Sequence, residues 1–201
     1  FVDSGKIESI RFSTRPDTID EYRLNLIAPF PISTIELGVQ SMDEQVLGMS
    51  KRGHTAGDTV DAVFRLKEKG YNIGLQMMTG LPGDTVAGSL ETAQKIIALK
   101  PDFVRIYPTL VLEGSFLALL YKKKQYMPIS LEDCVDQLKN LNLLFQSAHI
   151  PVIRMGLQAS KELSDRSVVL AGPYHPALGH WVMSSIMLDH AIAVLEANPP
   201  L

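Results

Sequence analysis

The chain has 201 residues, enough for one sizeable hydrophobic core or for one domain with an appendage. Hydrophobic residues make up 46% of it, charged residues make up 20%, and the formal net charge is -3. This balance gives no electrostatic reason to expect a nucleic-acid or membrane surface. The single cysteine, Cys134, excludes an internal disulfide framework and a cysteine-ligated metal cluster built from this chain alone, and it predicts a reducing, cytoplasmic compartment.

Strand-like and helix-like segments alternate along the chain. Strands are predicted, in chain order, at 6–13, 33–40, 71–83 (running into a turn), 101–109 and 150–158, and helices at 18–30, 42–53, 55–70, 85–100, 114–126, 130–149 and 181–196. The helix at 55–70 has the clearest signals, because Thr55 can cap its start and Gly70 can end it. No apolar run is expected to approach the ~20 residues of a membrane-spanning helix, and no signal peptide is recognised.

This alternation, with near-continuous apolar strands, predicts an α/β fold in which helices lie outside a parallel sheet. The absence of a dinucleotide-binding glycine fingerprint favours a barrel over an open doubly wound sheet. A complete eight-fold barrel needs ~250 residues, so we expect a partial one. The segment at 128–130 is the predicted boundary between residues 1–128, the barrel part, and residues 129–201, a small α+β region.

Polar groups and close-approach glycines follow the strands where a parallel α/β fold places its ligands, at the carboxyl ends. The predicted strand ends are Ser13–Arg15, Gln40–Ser41, Met78–Gly80 and Tyr107–Thr109. Period-two alternation puts Gln76 and Met78 on one face of the third strand. An amide and a thioether that face inward together predict a pocket with an apolar wall and a few polar anchors.

Each residue also has a plain structural explanation. A glutamine at the rim often satisfies only a loop carbonyl, and Met78 is also typical of core packing. The charge of Arg52 has two candidate partners within the chain, Glu36 and Glu44. It is the joint placement of these residues, rather than any one of them, that predicts a site.

Four motifs resemble, in order and spacing, the radical S-adenosylmethionine enzymes. They are "STRPDTI", "ELGVQSMDEQVLGMSKRGHT", "GLQMMTGLPGDT" and "RIYPTLVLEGS", within residues 6–126. The likeness is greatest to the catalytic subunit of Elongator and its bacterial relatives, and more distant to oxygen-independent coproporphyrinogen III oxidase. The tail, "IPVIRMGLQASKEL" through "AGPYHPALGHWV", is similar to the carboxy-terminal domain of small bacterial members.

The resemblance implies cofactor-binding roles, carried over one position at a time. Gln40 stands at the glutamine that bonds the ribose region of S-adenosylmethionine, and Arg52 at the arginine that holds its carboxylate. Met78 matches an apolar position that packs on the adenine. Ser13 and Gln76 replace the ribose-binding glutamate and the aspartate of the porphyrin enzyme. Because serine is too short for the same direct contact, the ribose geometry is expected to differ.

The resemblance also implies a 4Fe-4S cluster held by the cysteines of a CxxxCxxC loop. Three thiolates are needed for it, and this sequence has one cysteine, so the ligands are expected outside this chain. Cys134, His54 and His175 are each interpreted as structural residues. The first residue is Phe1 and a strand follows almost at once, so we expect a fragment of a longer protein, inactive by itself.

The expected parent is an oxidoreductase that cleaves S-adenosylmethionine reductively to a 5′-deoxyadenosyl radical, which abstracts hydrogen. The Elongator likeness implies tRNA modification, and the oxidase likeness implies tetrapyrrole metabolism. A cluster-free α/β-barrel binding module is the alternative from another class of protein, and a purely structural segment is a third. No membrane partner is expected, and the exposed edge of the first strand predicts a homo-oligomer.

Overall fold

A computed structural model of the chain describes residues 5–165 and 167–198. The strands are β1 (Ile10–Thr14), β2 (Ile32–Gln40), β3 (Asn72–Thr79), β4 (Phe103–Pro108), β5 (Val111–Leu112), β6 (Val152–Met155) and β7 (Val169–Ala171). The α-helices are α1 (Glu21–Ile27), α2 (Glu44–Met49), α3 (Ala56–Glu68), α4 (Val86–Ala98), α5 (Phe116–Lys122), α6 (Leu131–Ser147) and α7 (Leu178–Ala197). Short 3-10 turns cover Pro16–Thr18 and Glu162–Ser164.

Five strands form one parallel sheet in the order β1-β2-β3-β4-β6, and β5 pairs with β7 in a separate antiparallel ribbon. The predicted α/β class is confirmed: the chain is a partial barrel of parallel strands with helices outside. The ribbon was not predicted, because its strands have only two and three residues.

The two faces of the sheet differ because side chains alternate along each strand. One face is apolar and packs against the helices. It consists of Ile35, Leu37, Val39, Ile73, Leu75, Met77, Val104 and Ile106, in contact with a core that includes Leu66, Ile96, Leu138 and Phe145. The alternate positions form the polar face of the sheet, defined here as Glu36, Gln40, Gln76, Met78, Arg105, Tyr107 and Arg154. The polar face is where a ligand can lie.

Local capping confirms the clearest predicted helix. Thr55 Oγ1 accepts a hydrogen bond from the Asp58 amide (3.0 Å), and Asp58 Oδ2 accepts one from the Thr55 amide (2.7 Å). This capping box satisfies two amides that the first turn of α3 leaves without partners. The helix therefore begins where the sequence predicts.

The last helix, α7, departs from expectation. It has 20 residues and is, by length and composition alone, apolar enough to cross a membrane, so the expectation that no segment reaches this length was wrong. A single helix of this kind is weak grounds for a membrane span. Most of its apolar side chains are exposed, including Met187, Leu188 and Leu195.

Candidate functional site

A cavity of about 440 Å³ opens on the polar face of the sheet, at the carboxyl ends of its strands. Its lining residues are Gln40, Arg52, Gln76, Met78, Arg105, Tyr107, Arg154, Leu157 and Gln158. Four of the five residues singled out in the sequence are among them. Residues far apart in the sequence therefore meet in one place, because parallel strands end at the same edge of a sheet.

Gln40 reaches the cavity from a strained turn. Its φ is 66°, a left-handed conformation that is uncommon for a residue with a side chain. The Ser41 amide donates to the Val39 carbonyl (2.8 Å) across it, which makes a γ-turn centred on Gln40. Strain of this kind persists where the surrounding structure enforces it, and it is typical of functional sites.

His54 helps to hold this turn in place. It is buried, and its Nε2 lies 3.0 Å from the same Val39 carbonyl oxygen. Because a carbonyl oxygen only accepts, Nε2 is the nitrogen that carries the proton in this contact. The expectation that His54 is structural agrees with this position beneath the turn.

The amide of Gln40 is buried and its Oε1 has no hydrogen-bond partner among the described residues. Its Nε2 occupies the space next to Gly38, where an added Cβ would approach to 2.7 Å. A buried acceptor without a partner is costly, so the amide is suited to receive a donor from a ligand.

Arg52 is placed by the end of α2. Lys51 has a φ of 51°, its amide donates to the Gly48 carbonyl (3.1 Å), and the Arg52 amide donates to the Leu47 carbonyl (3.1 Å). These two bonds form a Schellman motif, which ends a helix and turns the chain back. The arginine is thereby directed to the cavity instead of continuing the helix.

The charge of Arg52 has no acidic partner among the described residues. Both candidates are engaged elsewhere: Glu36 pairs with Arg11 and Arg105, and Glu44 Oε1 accepts from the Ala56 amide (2.9 Å). Burial, and secondarily the positive charge of Arg15, lower the pKa of the Arg52 guanidinium. A half-buried guanidinium without an acidic partner in the described structure is suited to bind the carboxylate of a ligand.

Gln76 and Met78 lie on the same face of β3, as the alternation predicts. They stand in register with Arg105 and Tyr107 on β4. Nη1 of Arg105 donates to the Tyr107 hydroxyl (3.2 Å), and its Nε lies 2.9 Å from Glu36 Oε2. The apolar wall comes from Met78 and Leu157, so the cavity combines a hydrophobic surface with amides and guanidinium groups.

Ser13 is not among the residues that line the cavity. It is exposed on the edge strand β1, in register with Glu36, whereas the cavity begins at Gln40. The pairing of β1 with β2 therefore sets Ser13 four residues short of the rim. Ser13 therefore does not reach the cavity directly.

Tyr107, which stands at a predicted strand end, also lines the cavity, and four further lining residues were not predicted: Arg105, Arg154, Leu157 and Gln158. A signal existed for Arg105, since alternation from the predicted strand end at Tyr107 puts it on the same face. Arg154 had no such signal, because its place depends on how β6 pairs with β4.

Cys134 does not line the cavity and is buried within α6. Burial raises the pKa of its thiol to about 12, so the thiol stays protonated at neutral pH. We expect Ellman's reagent to leave the folded chain unlabelled and to react fully once urea unfolds it, since the thiolate is the reactive form. Fast stoichiometric labelling without denaturant would show this interpretation of Cys134 to be wrong.

The fold and the cavity define a class of protein, a partial parallel α/β barrel with an open cavity at the carboxyl ends of its strands. Two family models match the sequence, the Radical SAM superfamily over residues 3–96 and the Radical SAM C-terminal domain over residues 101–187. The chain belongs to the radical SAM superfamily.

Named relatives agree with this assignment. A tRNA uridine(34) acetyltransferase of Methanocaldococcus jannaschii is 35% identical over 126 residues, which cover 61% of this chain and 23% of the relative. The solved structure of an archaeal Methanocaldococcus infernus Elp3 has a TM-score of 0.79 at 26% identity and covers 90% of this chain and 42% of that one. The Escherichia coli coproporphyrinogen III oxidase HemN has a TM-score of 0.55 at 16% identity, covers 70% of this chain and 32% of that one, and is similar in fold. The aligned region of this chain spans about a quarter of the curated relative's length.

Proposed function

We propose that this chain forms the S-adenosylmethionine-binding part of a radical SAM enzyme. In this proposal Arg52 holds the carboxylate of the cofactor, Gln40 receives a hydrogen bond from its ribose region, and Met78 packs on its adenine, with Gln76 beside it. The observation that carries the proposal is the half-buried Arg52 guanidinium without an acidic partner in the described chain. A bidentate arginine–carboxylate contact would satisfy it. Ser13 is left without a direct role, or with one through water.

The 4Fe-4S cluster of the family would supply the electron that cleaves the cofactor to a 5′-deoxyadenosyl radical. Its thiolate ligands would come from outside these 201 residues, because Cys134 is the sole cysteine. The residues of this chain would orient the nucleoside and exclude water, and this chain alone would be inactive.

A tRNA is the proposed substrate of the parent enzyme. The support is the similarity to the M. jannaschii relative, a tRNA uridine(34) acetyltransferase, together with the likeness to Elp3. A tRNA-modifying enzyme would act in the cytoplasm. A porphyrinogen substrate has weaker support, because the likeness to the oxidase extends only to the fold.

Two structural expectations remain proposals. The division after residue 128 is one, although β6 beyond it pairs with β4 in the same sheet. The other is association of two copies through β1, whose outer edge has no strand partner in the described part of the chain. Unpaired strand edges of this kind favour pairing with another chain.

The proposal is tested with the longer protein that contains this chain, reconstituted anaerobically with iron and sulfide. After reduction with dithionite, we expect 5′-deoxyadenosine to form from S-adenosylmethionine, measured by chromatography, and the 201-residue chain alone to form none. A parent without a three-cysteine loop, or one that binds the cofactor without cleaving it, would favour a cluster-free binding module instead.

A further inference from the structure

The cavity carries an excess of positive charge. Its lining residues include three arginines, Arg52, Arg105 and Arg154, and no aspartate or glutamate. The whole chain, by contrast, has a formal net charge of -3. The positive charge is therefore concentrated at this site and does not reflect the composition of the chain.

Arg105 is fixed in place by its neighbours. It lies between Glu36, which it pairs with, and the Tyr107 hydroxyl, to which it donates. Glu36 is itself shared, since Arg11 pairs with its other carboxylate oxygen. One carboxylate thus serves two guanidinium groups, and the cluster keeps a net positive charge.

Arg154 adds to this excess. It stands in register with Arg105 on the neighbouring strand, and it forms no ion pair with the acidic residues that the structure describes. Like charges directly opposite each other on adjacent strands are destabilising. Arg154 has no carboxylate partner in the described part of the chain, and Arg105 shares Glu36 with Arg11, so a bound anion would stabilise this arrangement.

The proposed cofactor does not supply that anion. S-adenosylmethionine has a sulfonium and an ammonium cation against one carboxylate, and Arg52 already accounts for the carboxylate. A net cation in a cavity with two further guanidinium groups would be repelled by them. Another negative group is needed for the site to be electrostatically complementary.

We propose that Arg154 and Arg105, with the Tyr107 hydroxyl, form a subsite for an oxyanion of the substrate, a phosphate or a carboxylate, beside the cofactor. The inference rests on the proposed function for the role of Arg52. A guanidinium binds either oxyanion through two parallel N–H groups. Because the Tyr107 oxygen accepts from Arg105, its own O–H remains available to donate to the same anion.

The first test measures binding of uridine 5′-monophosphate, uridine and propane-1,2,3-tricarboxylate to the 201-residue chain by titration calorimetry at fixed ionic strength. We expect at least one of the two anions to bind about tenfold more tightly than uridine, and Arg154→Gln to remove that advantage. A preference for the nucleotide identifies a phosphate, and a preference for the tricarboxylate identifies a substrate carboxylate. Equal binding of all three ligands, or anion binding unchanged in Arg154→Gln, would overturn the subsite.

The second test separates this subsite from the cofactor. Arg154→Gln should leave the affinity for S-adenosylmethionine unchanged or raise it, because a like charge is removed. A tenfold loss would instead assign Arg154 to the cofactor carboxylate and overturn the proposal. If the cofactor fails to bind any form of the chain while anion binding still depends on Arg154, the proposed function fails and the subsite stands.

Matched variants keep these results interpretable. Arg154→Lys should retain part of the anion affinity, since lysine keeps the charge and lacks the planar fork. Arg23→Gln removes an exposed arginine from α1, where it pairs with Asp20. It should change neither the affinity for the anions nor the affinity for S-adenosylmethionine. A thermal unfolding midpoint of Arg154→Gln at or above that of the unmodified chain would show that the lost binding is not lost folding.

Discussion

The Arg52→Ala variant is expected to weaken S-adenosylmethionine binding by about 10- to 150-fold. A hydrogen-bonded charge contributes roughly 1.5–3 kcal/mol, and the carboxylate of the cofactor would lose its only guanidinium partner. The unfolding free energy should hardly change, because Arg52 has no acidic partner in the described structure and its burial already disfavours the charge. Equilibrium binding to the parent protein measures the effect, with circular dichroism as the check on folding.

Two comparisons make this result specific. The affinity of Arg52→Lys for S-adenosylmethionine should lie between that of the unmodified protein and that of Arg52→Ala, because lysine restores the charge without the two parallel donors. Arg23→Ala on the surface of α1 should bind the cofactor normally. If Arg52→Ala bound as tightly as the unmodified chain, the carboxylate would lie elsewhere and the proposed orientation of the cofactor would be wrong.

The Glu36→Gln variant is expected to cause the larger loss of stability. The Glu36 side chain is 5% exposed, and its carboxylate is the counterion of both Arg11 and Arg105. Breaking a buried pair from one side costs about 3–5 kcal/mol, which we reduce to roughly 2–4 kcal/mol because water reaches part of both arginines. Urea unfolding followed by circular dichroism measures this difference.

A surface pair provides the control for the Glu36 result. Glu21 accepts from Lys69 at 3.2 Å, and both side chains are largely exposed, so Glu21→Gln should cost less than about 1 kcal/mol. Equal effects of the two substitutions would show that Glu36 is not the electrostatic centre of the sheet.

The strands and the helix cap were predictable because their signals are local. The predicted strand 33–40 differs from Ile32–Gln40 by one residue, and the Thr55 cap lies three residues from the Asp58 that completes it. Alternation within β3 placed Gln76 and Met78 on one face without any knowledge of their neighbours. Such features depend on residues only a few positions apart.

The remaining features depend on pairing between distant segments. Arg154 reaches the cavity because β6 pairs with β4, and Ser13 stays outside it because β1 places residue 13 opposite Glu36. The partners of Glu36 were also beyond the sequence, which offered Arg52, whereas the structure pairs Glu36 with Arg11 and Arg105. In each case the position or partner of the residue depends on how distant segments pair in the folded chain, which no local sequence pattern encodes.

The γ-turn at Gln40 has a consequence for affinity. Because the turn is formed during folding and fastened by His54, the amide is preorganised, and its ordering entropy need not be spent when a nucleoside arrives. A change that loosens the turn would then lower affinity without removing any atom that touches the ligand. Gly38 is such a position, because a methyl group there would clash with the amide nitrogen of Gln40 and displace the amide from its preorganised orientation.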